Sequence, residues 1–360
     1  MKTVAILGAG AGGAAAVAEL SQRGYAIHLW NRSDATLEPF RVSGGVRYEG
    51  VLGSGLARPR LISANLGEVV AGADVILVCL PTFSHASIAR DLAQLGCRLP
   101  VVLNPGHTGG ALEFRQSWAE NSASIPGIAE FSTLTYVARK YEADKTAVTG
   151  KASCVRVAAL PGGDEALRLA MELYPSARPV KNVLASDLSN VNMVLHCPGA
   201  VLGAAWVEAT RGDFTFYVQG MTPGVARVMA QLDRERQAVG KAFGHALPSL
   251  VEEMQAIGTV PQDWADTSDL AGAVAAGEAN RRIKAPDSFR HRYYLEDFGH
   301  GLLPFLQFAA VAGVSTPVAQ SLLQLAEGAT GVDFASNGRT AARMGFRLDD
   351  SQSLAKLIEH

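Results

Sequence analysis

The chain has 360 residues, of which 48% are hydrophobic and 18% are charged. This composition is too apolar for a disordered chain, and at about 150 residues per domain the length predicts two domains. Lys and Arg (32) nearly balance Asp and Glu (34), which argues against a nucleic-acid-binding protein.

The first half of the chain predicts strands that alternate with helices. Short runs of β-branched and apolar residues predict buried strands, and stretches with helical periodicity follow them. The predicted strands cover residues 3–7, 25–30, 74–80 and 100–103, and the predicted helices cover 14–23 and 84–95. Such alternation is typical of a parallel sheet with helices on both faces. We therefore expect an α/β Rossmann dinucleotide-binding domain, with a doubly wound and mostly parallel sheet, over residues 1–185.

The second half of the chain has a different pattern. Apolar residues recur at helical spacing and Ala is frequent, whereas convincing strand runs are absent. The clearest predicted helices cover residues 225–246, 302–311 and 317–327. We expect an all-α C-terminal domain over residues 186–360.

A glycine-rich turn separates the first predicted strand from the helix after it. Gly8, Gly10 and Gly13 fit the pattern G-x-G-x-x-G. In that pattern the first glycine permits a tight turn, the second lets the backbone approach a pyrophosphate, and the third allows close helix–strand packing. The position between a strand and a helix supports this interpretation. We expect Gly8, Gly10, Ala11 and Gly13 to bind a dinucleotide.

The end of the second predicted strand bears on which dinucleotide binds. NAD-binding proteins often carry an acid there that holds the ribose 2′-hydroxyl, whereas this chain has Asn31 and Arg32. A guanidinium pairs well with a 2′-phosphate. NADP(H) is therefore favoured over NAD(H), with Asn31 and Arg32 as cofactor-binding residues. Asp34 leaves an alternative open, because it could turn inward and hold a ribose.

Motifs spread along the chain resemble those of one enzyme family. They are Pro81-Thr82-Phe83-Ser84-His85, Asn104-Pro105-Gly106 with Gly109-Gly110-Ala111-Leu112-Glu113, Ala129-Glu130 with Thr133-Leu134-Thr135-Tyr136, Asn190-Val191-Asn192 with His196-Cys197-Pro198-Gly199, Phe216-Tyr217 with Gly220-Met221-Thr222-Pro223, Leu232-Asp233-Arg234-Glu235-Arg236, and Arg292-Tyr293-Tyr294-Leu295-Glu296-Asp297. In this order they resemble the opine dehydrogenases, the octopine/nopaline dehydrogenase family. Cys197, Thr135 and Phe298-Gly299-His300 depart from the family pattern, and these departures concern the substrate rather than the family.

The resemblance implies a reaction. Opine dehydrogenases, or N-(1-carboxyethyl)amino acid dehydrogenases, condense a 2-oxo acid with the amino group of an amino acid and reduce the resulting imine with NAD(P)H. Pyruvate is the expected oxo acid, and the reverse reaction is an oxidation. The resemblance also implies a homodimer.

The catalytic residues combine local spacing with the resemblance. His196 stands four residues after Asn192, so both share one helix face, and Pro198 is expected to disrupt that helix. Histidine titrates in the range that proton transfer needs, although a structural histidine is the other interpretation. The resemblance makes His196 the catalytic acid–base and Asp297 its partner. Taken alone, Asp297 with its neighbour Glu296 is more typical of a helix-start cap.

Other site residues follow mainly from the resemblance. Arg292 is expected to hold the carboxylate of the amino acid, Thr133 to lie near the oxo acid, and Asn190 and Asn192 to polarise the carbonyl or to cap a helix. Pro81, His85 and Asn104 follow strand ends, where such sheets contact cofactors, although local capping is the alternative. The remaining histidines, His107 among them, are interpreted as structural or exposed.

Two alternative functions stay open. A two-domain reductase of the ketopantoate reductase or 6-phosphogluconate dehydrogenase type usually has a catalytic lysine shortly before an asparagine at the start of its second domain. Here Asp187 stands three residues before Asn190, and Lys181 nine residues before it, which argues against that class. A non-catalytic nucleotide sensor would need neither His196 nor Asp297.

The location and partners are predicted from what the sequence lacks. We find no apolar run long enough for a membrane helix, no signal peptide, and no metal-type spacing. The four cysteines form no CxxC pair. We expect a cytoplasmic enzyme that has no metal and binds neither nucleic acid nor membrane.

Overall fold

The computed structural model describes residues 1–278 and 280–359, and its chain divides into two compact units. The first unit comprises Met1–Gly106, Gly110–Val183 and the C-terminal residues from Ile358. The second comprises Leu184–Leu357 together with the short segment His107–Gly109. The boundary expected after residue 185 stands next to the division at Val183, but a single boundary does not capture the segment His107–Gly109.

The first unit alternates strands and helices. Its strands are β1 (Thr3–Leu7), β2 (Ala26–Trp30), β3 (Val46–Gly50), β4 (Gly55–Ala57), β5 (Leu61–Ser63), β6 (Val75–Val78), β7 (Val101–Leu103), β8 (Ile128–Phe131), β9 (Tyr136–Glu142), β10 (Lys145–Lys151), β11 (Val155–Ala159) and β12 (Ala177–Pro179). Its helices are α1 (Ala11–Gln22), α2 (Asp34–Val42), α3 (Leu66–Val70), α4 (His85–Gln94), α5 (Gly110–Ala119) and α6 (Asp164–Leu173).

The main sheet is doubly wound. Its strand order is β12-β11-β8-β7-β6-β1-β2-β5, and every neighbouring pair is parallel except β8 with β11. The strands β1, β2, β6 and β7 are buried along their whole length, as expected of a sheet with both faces covered. The predicted Rossmann fold is confirmed.

A second sheet, in the order β4-β3-β10-β9, was not predicted. Its strands mix buried and exposed side chains, and β9 has the sequence YVARKYE with only two of seven residues buried. Because this sheet lacks continuous apolar runs, a search for buried strands passes over it.

Helix α1 begins at Ala11, three residues before the predicted start. Gly12 and Gly13 therefore lie inside the helix, directly after the turn. The close approach of Gly13 to Gly8, described below, explains why the helix can begin so near the strand.

The second half of the chain is helical. Its helices are α7 (Val183–Leu188), α8 (Asn192–Leu202), α9 (Ala204–Thr210), α10 (Pro223–Ala242), α11 (Leu250–Ile257), α12 (Leu270–Ala276), α13 (Arg292–Asp297), α14 (Leu303–Ala312), α15 (Pro317–Thr330), α16 (Phe334–Asn337) and α17 (Ser351–Ile358). Within the described residues of 184–357, strand-like pairing is limited to the isolated bridges Thr215–Lys284 and Arg347–Asp350. The predicted all-α domain is confirmed.

The expected disruption at Pro198 is wrong. Helix α8 continues through Pro198 to Leu202. A proline inside a helix costs about 3 kcal/mol, but every residue from Met193 to Ala200 is buried, and this packing offsets the lost hydrogen bond. The irregular backbone lies elsewhere, in a π-helical turn at Phe298–Leu302 directly after α13.

None of the helices in the described part of the chain is long and apolar enough to cross a bilayer.

Candidate active site

The glycine-rich turn has the geometry of a pyrophosphate cradle. Gly8 adopts a φ of +119°, and a Cβ there would lie 2.5 Å from the Cys79 carbonyl oxygen. A Cβ on Gly13 would lie 1.8 Å from the Gly8 carbonyl oxygen. A Cβ on Gly10, by contrast, meets no protein atom within 4 Å. The turn is therefore tight where protein meets protein and open above Gly10, at the N-terminus of α1, where an anion is favoured. These residues fit a dinucleotide.

The residues after β2 lie beside this turn. The Asn31 Oδ1 accepts a hydrogen bond of 3.2 Å from the Ala9 N–H, whereas Arg32 is exposed. Asp34 does not turn inward, because its carboxylate pairs with Arg41 at 2.7 Å. The Asp34 carboxylate is thus engaged by Arg41 in this structure.

Sequence reasoning missed a basic residue at the same turn. The Lys140 Nζ, on β9 of the unpredicted sheet, donates to the Ala9 carbonyl oxygen at 3.5 Å and lies 4.3 Å from the centroid of the Phe40 ring. Burial lowers the pKa of Lys140, and Asp144 partly opposes this effect. No sequence signal identified it, since the strand that carries it was not predicted.

The other predicted residues of the first unit differ in environment. Pro81 is exposed at the end of the β6 segment, and His85 is buried as the first residue of α4 with its ring edge toward Phe114. Asn104 is buried, and its amide nitrogen donates to the Thr135 hydroxyl at 3.0 Å. The Asn104 amide also contacts Tyr174 (3.3 Å) and accepts from the Thr135 N–H. The structure thus gives Asn104 a role inside the protein. Thr133 is half-buried in the loop after β8.

The predicted catalytic pair comes together in the second unit. His196, on the buried α8, places its Nδ1 2.8 Å from the Asp297 Oδ2, at the end of α13. The other ring nitrogen, Nε2, lies 2.7 Å from the Tyr217 hydroxyl, which lies 2.8 Å from the Tyr293 hydroxyl. The Tyr293 ring stacks on the imidazole at 3.9 Å between centroids. His196 is 6% exposed and Asp297 is fully buried.

Electrostatics keep the carboxylate of this pair ionised. Burial by itself raises the pKa of Asp297, but His196 and His107 outweigh it and hold this pKa well below its usual range. Asp297 is therefore ionised at neutral pH and accepts the Nδ1–H of His196. In a neutral imidazole with its proton on Nδ1, the lone pair on Nε2 accepts the Tyr217 O–H. This is the arrangement of a general base held in one tautomer by a carboxylate.

Arg292 is oriented by a buried carboxylate. Its Nε forms an ion pair with the Glu296 Oε2 at 2.9 Å, and the charge of Glu296 raises the pKa of Arg292. The Arg292 side chain is 52% exposed. Within the described residues its two terminal nitrogens have no hydrogen-bonding partner in the protein. A guanidinium held at Nε and open at both terminal nitrogens can grip a carboxylate with two parallel hydrogen bonds.

Asn190 lies at the start of α8 and serves the protein rather than an open pocket. Its Oδ1 accepts from the Asn192 N–H at 3.1 Å, and its Nδ2 lies 3.0 Å from the Nδ1 of His107. Asn192 is half-buried as the first residue of α8. His107 is fully buried and hence not exposed, and its Nε2 lies 3.4 Å from the Asp297 Oδ1.

Three residues that the sequence did not single out contact the predicted ones. Tyr217 and Tyr293 adjoin His196, and His107 lies between Asp297 and Asn190. Tyr217 and Tyr293 both belong to motifs named above. They were not selected because an aromatic side chain is more often part of the hydrophobic core than of a catalytic site. Among the described residues, no cluster of three or more His, Cys, Asp or Glu side chains could hold a metal ion.

Comparisons with known proteins cover both halves of the chain. The family model of NAD/NADP octopine/nopaline dehydrogenases, alpha-helical domain, matches residues 179–330, and that of ketopantoate reductase PanE/ApbA matches residues 4–103. An opine dehydrogenase of Arthrobacter sp. (strain 1C) is 33% identical over 96% of this chain and 95% of its own. An octopine dehydrogenase solved with NADH and agmatine is similar with a TM-score of 0.78, at 21% identity over 100% of both chains. A yersinopine dehydrogenase solved with NADP⁺ has a TM-score of 0.75, at 16% identity over 98% of this chain and 96% of its own. The two structural matches show the fold.

Proposed function

The chain belongs to the opine dehydrogenase family, and we infer from this membership that it catalyses the NAD(P)H-dependent reductive condensation of pyruvate with the amino group of an amino acid. The reverse reaction is the oxidation of the secondary-amine product. The observation that carries the catalytic assignment is the buried His196–Asp297 pair, with the Tyr217 hydroxyl on the second ring nitrogen.

Condensation requires proton transfer at two points. The ammonium group of the amino acid must lose a proton before it attacks the carbonyl, and the oxygen of the resulting carbinolamine must gain one before it leaves as water. The Nε2 of His196 is the proposed site of both transfers, and Asp297 stabilises the imidazolium that forms between them. Tyr217 extends this site by one hydroxyl. The reduced nicotinamide, when bound, supplies the hydride that reduces the imine carbon.

Substrate carboxylates need cationic partners. Arg292 is proposed to hold the carboxylate of the amino acid, since Glu296 orients its guanidinium and leaves the terminal nitrogens open. Thr133 is proposed to contact the oxo acid and Asn192 its carbonyl group, and both side chains are half-buried. Asn190 is proposed to act through His107 instead, because its amide is already bonded inside the protein.

NADP(H) is proposed as the preferred cofactor. The turn above Gly10 would take the pyrophosphate, and Asn31 would help to shape that turn. Arg32 has an exposed side chain at the end of β2, Lys140 approaches the same turn, and Asp34 is neutralised by Arg41. We expect Arg32→Ala to weaken NADPH binding and to leave NADH binding unchanged, as measured by fluorescence titration of each cofactor. Equal affinities of the wild type for both cofactors would contradict the proposed preference.

A ketopantoate-reductase-like activity is the second candidate, because that family model matches the first unit. In the second unit, however, Asp187 stands where that class would be expected to have its lysine region, and its Oδ1 accepts from the Gly109 N–H at 2.7 Å. A carboxylate that is buried and bonded to the backbone does not supply the cationic acid which that reaction uses.

The biological setting is proposed to be a cytoplasmic homodimer. The four cysteines are free in the structure, which suits a reducing compartment. Sedimentation equilibrium of the purified protein measures the oligomeric state, and a monomer at micromolar concentration would contradict the dimer.

The deciding experiment follows the loss of NADPH or NADH absorbance with pyruvate, with and without a panel of amino acids. Oxidation that requires both pyruvate and an amino acid supports the proposal, and the panel identifies the donor. Oxidation with an oxo acid alone would identify a simple carbonyl reductase and would remove the role of Arg292.

A further inference from the structure

A second histidine faces the catalytic carboxylate from the short segment His107–Gly109 of the second unit. His107 has a φ of +65°, in the left-handed region that few residues other than glycine adopt, although histidine does so more often than most. It is fully buried. A residue held in this conformation requires neighbours that fix it, and such conformations cluster at functional sites.

Two buried side chains bond to the backbone of this segment, and a third bonds to the Thr108 side chain. The Asp187 Oδ1 accepts from the Gly109 N–H at 2.7 Å, and the Arg339 Nη1 donates to the Thr108 carbonyl oxygen at 2.7 Å. The Asn190 Nδ2 reaches the Thr108 hydroxyl at 3.3 Å. The backbone is therefore held at Thr108 and at Gly109, independently of the His107 imidazole.

The ring of His107 is fixed as well. Its Nδ1 lies 3.0 Å from the Asn190 Nδ2 and 3.2 Å from the His300 carbonyl oxygen, which belongs to the π-helical turn after Asp297. A Cβ on Gly301 would lie 3.5 Å from the His107 Cε1, so this turn also packs on the ring. When Nδ1 accepts from the Asn190 amide, the neutral ring carries its proton on Nε2, toward Asp297.

Asp297 thereby lies between two imidazoles. Its Oδ2 takes the hydrogen bond of His196, and its Oδ1 lies 3.4 Å from the His107 Nε2. Among the described residues neither the Asp297 Oδ1 nor the His107 Nε2 forms a regular hydrogen bond, so their 3.4 Å contact is an electrostatic one between two buried atoms. Without His107 this buried oxygen would lose the imidazole that faces it, and only the hydrogen bond to His196 would orient the carboxylate.

We propose that His107 is a positioning residue that holds Asp297 in register with His196. It acts through Asp297 and touches no substrate. As a statement about kcat this rests on the proposed function; as a statement about the His196–Asp297 hydrogen bond it does not.

Three substitutions test the proposal. His107→Gln keeps an N–H donor near the position of Nε2, whereas His107→Asn tolerates the positive φ but reaches only as far as Nδ1. We expect His107→Gln to keep most of kcat and His107→Asn to lose about 10- to 100-fold, the range for a lost polar interaction with a charged group. If His107→Asn does not fold, His107→Gly with added imidazole replaces it, and recovery of kcat with imidazole is expected.

Two readouts separate positioning from a purely structural role. The acid limb of the kcat–pH profile should move to lower pH in His107→Asn, because a misplaced Asp297 stabilises the imidazolium of His196 less. The downfield proton resonance of the His196 Nδ1–H, assigned with His196→Asn, should weaken in His107→Asn and persist in His107→Gln. The opposite order of the two variants, or an unchanged resonance in His107→Asn, would overturn the proposal. The resonance reports even if no substrate pair is turned over, so failure of the proposed function is distinguishable.

Discussion

His196 has both ring nitrogens engaged, Nδ1 by Asp297 and Nε2 by Tyr217. A substrate oxygen or nitrogen can exchange a proton with Nε2 in two ways: it replaces the Tyr217 hydroxyl, or the proton passes through that hydroxyl. Both routes need the tautomer that Asp297 sets, so the catalytic side chains act as one unit and their contributions will not add.

Replacement of His196 tests the centre of this unit. We expect His196→Asn to lower kcat by about 10²- to 10⁴-fold, the usual contribution of a general acid–base, and to leave the dissociation constant of NADPH unchanged. Steady-state kinetics and fluorescence titration measure the two quantities. Turnover close to that of the wild type would remove His196 from the mechanism.

Tyr217 offers a more delicate test. Tyr217→Phe keeps the ring that packs beside His196 and removes only the hydroxyl on Nε2. If the proton passes through this hydroxyl, kcat should fall on the order of 10²-fold, at the lower end of the range for general acid–base groups. Tyr141→Phe, at a position 80% exposed, is the matched control. A kcat that stays at the wild-type level in both variants would leave Tyr217 with a packing role.

Arg292 is expected to act on binding. Arg292→Ala should raise the KM for the amino acid by an amount that corresponds to about 1.5–3 kcal/mol, the value of a charge-assisted hydrogen bond. Arg281→Ala is the control, because Arg281 is exposed and pairs only with Glu278 at 3.6 Å in the described part of the chain. If the KM for the oxo acid rises instead, the two carboxylate sites are reversed.

For individual residues, the sequence indicated which residue types belong to the site but not which side chains contact one another in the folded protein. The motifs selected His196 and Asp297, which are 101 positions apart, because they resembled a known pattern. They did not select His107, whose partner Asp297 is 190 positions away, since nothing local marks a histidine that a carboxylate will meet only after folding. The Asn104 amide shows the reverse case, in which a residue at a strand end turns inward and bonds with Thr135.

Among the strands and helices, too, some were predicted from the sequence and others were not. The buried strands of the main sheet were predicted because β-branched runs have no other stable place than between two helical layers. The second sheet was missed because its strands are half-exposed, and the helix through Pro198 was misjudged because burial outweighed local propensity. The glycine pattern of the turn between β1 and α1 was recognised from the sequence, although α1 begins three residues before the predicted start.

That turn allows two glycine substitutions to be compared. In Gly13→Ala the new Cβ would collide with the Gly8 carbonyl oxygen, so we expect a lower Tm as well as lost dinucleotide binding. In Gly10→Ala the Cβ meets no protein atom within 4 Å, so Tm without cofactor should stay unchanged while dinucleotide affinity falls. Thermal unfolding and fluorescence titration separate the two effects. Wild-type affinity in Gly10→Ala would place the pyrophosphate elsewhere.

For the whole molecule, the near-balance of charge leaves pH sensitivity to a few buried groups. Burial, Arg339 and His107 hold the pKa of His300 well below its ordinary value of about 6.5. As pH falls through about 6.5, His300 therefore becomes protonated in the unfolded chain but stays neutral in the folded protein. The stability contributed by neutral His300 is present above about pH 6.5 and declines on acidification, and Asp297 adds a further loss at lower pH, below about 4.

We accordingly expect Tm to fall between pH 7.5 and pH 5, a window that follows from the lowered pKa of His300. His300→Gln should show a smaller fall over the same window, because its side chain does not titrate. Calorimetry at several pH values, at constant ionic strength, measures both slopes. Equal slopes in the two proteins would assign the acid sensitivity to other groups.

The segment His107–Gly109 also limits how this enzyme can be recombined. It belongs to the second unit although the chain on either side of it belongs to the first. A chimera joined at Val183 would inherit its carboxylate from one parent and the histidine that faces it from the other. Exchange of cofactor-binding halves between relatives should therefore succeed only where both parents agree at residues 107–109. A chimera design that divides the chain at a single point would therefore separate residues 107–109 from the unit to which they belong.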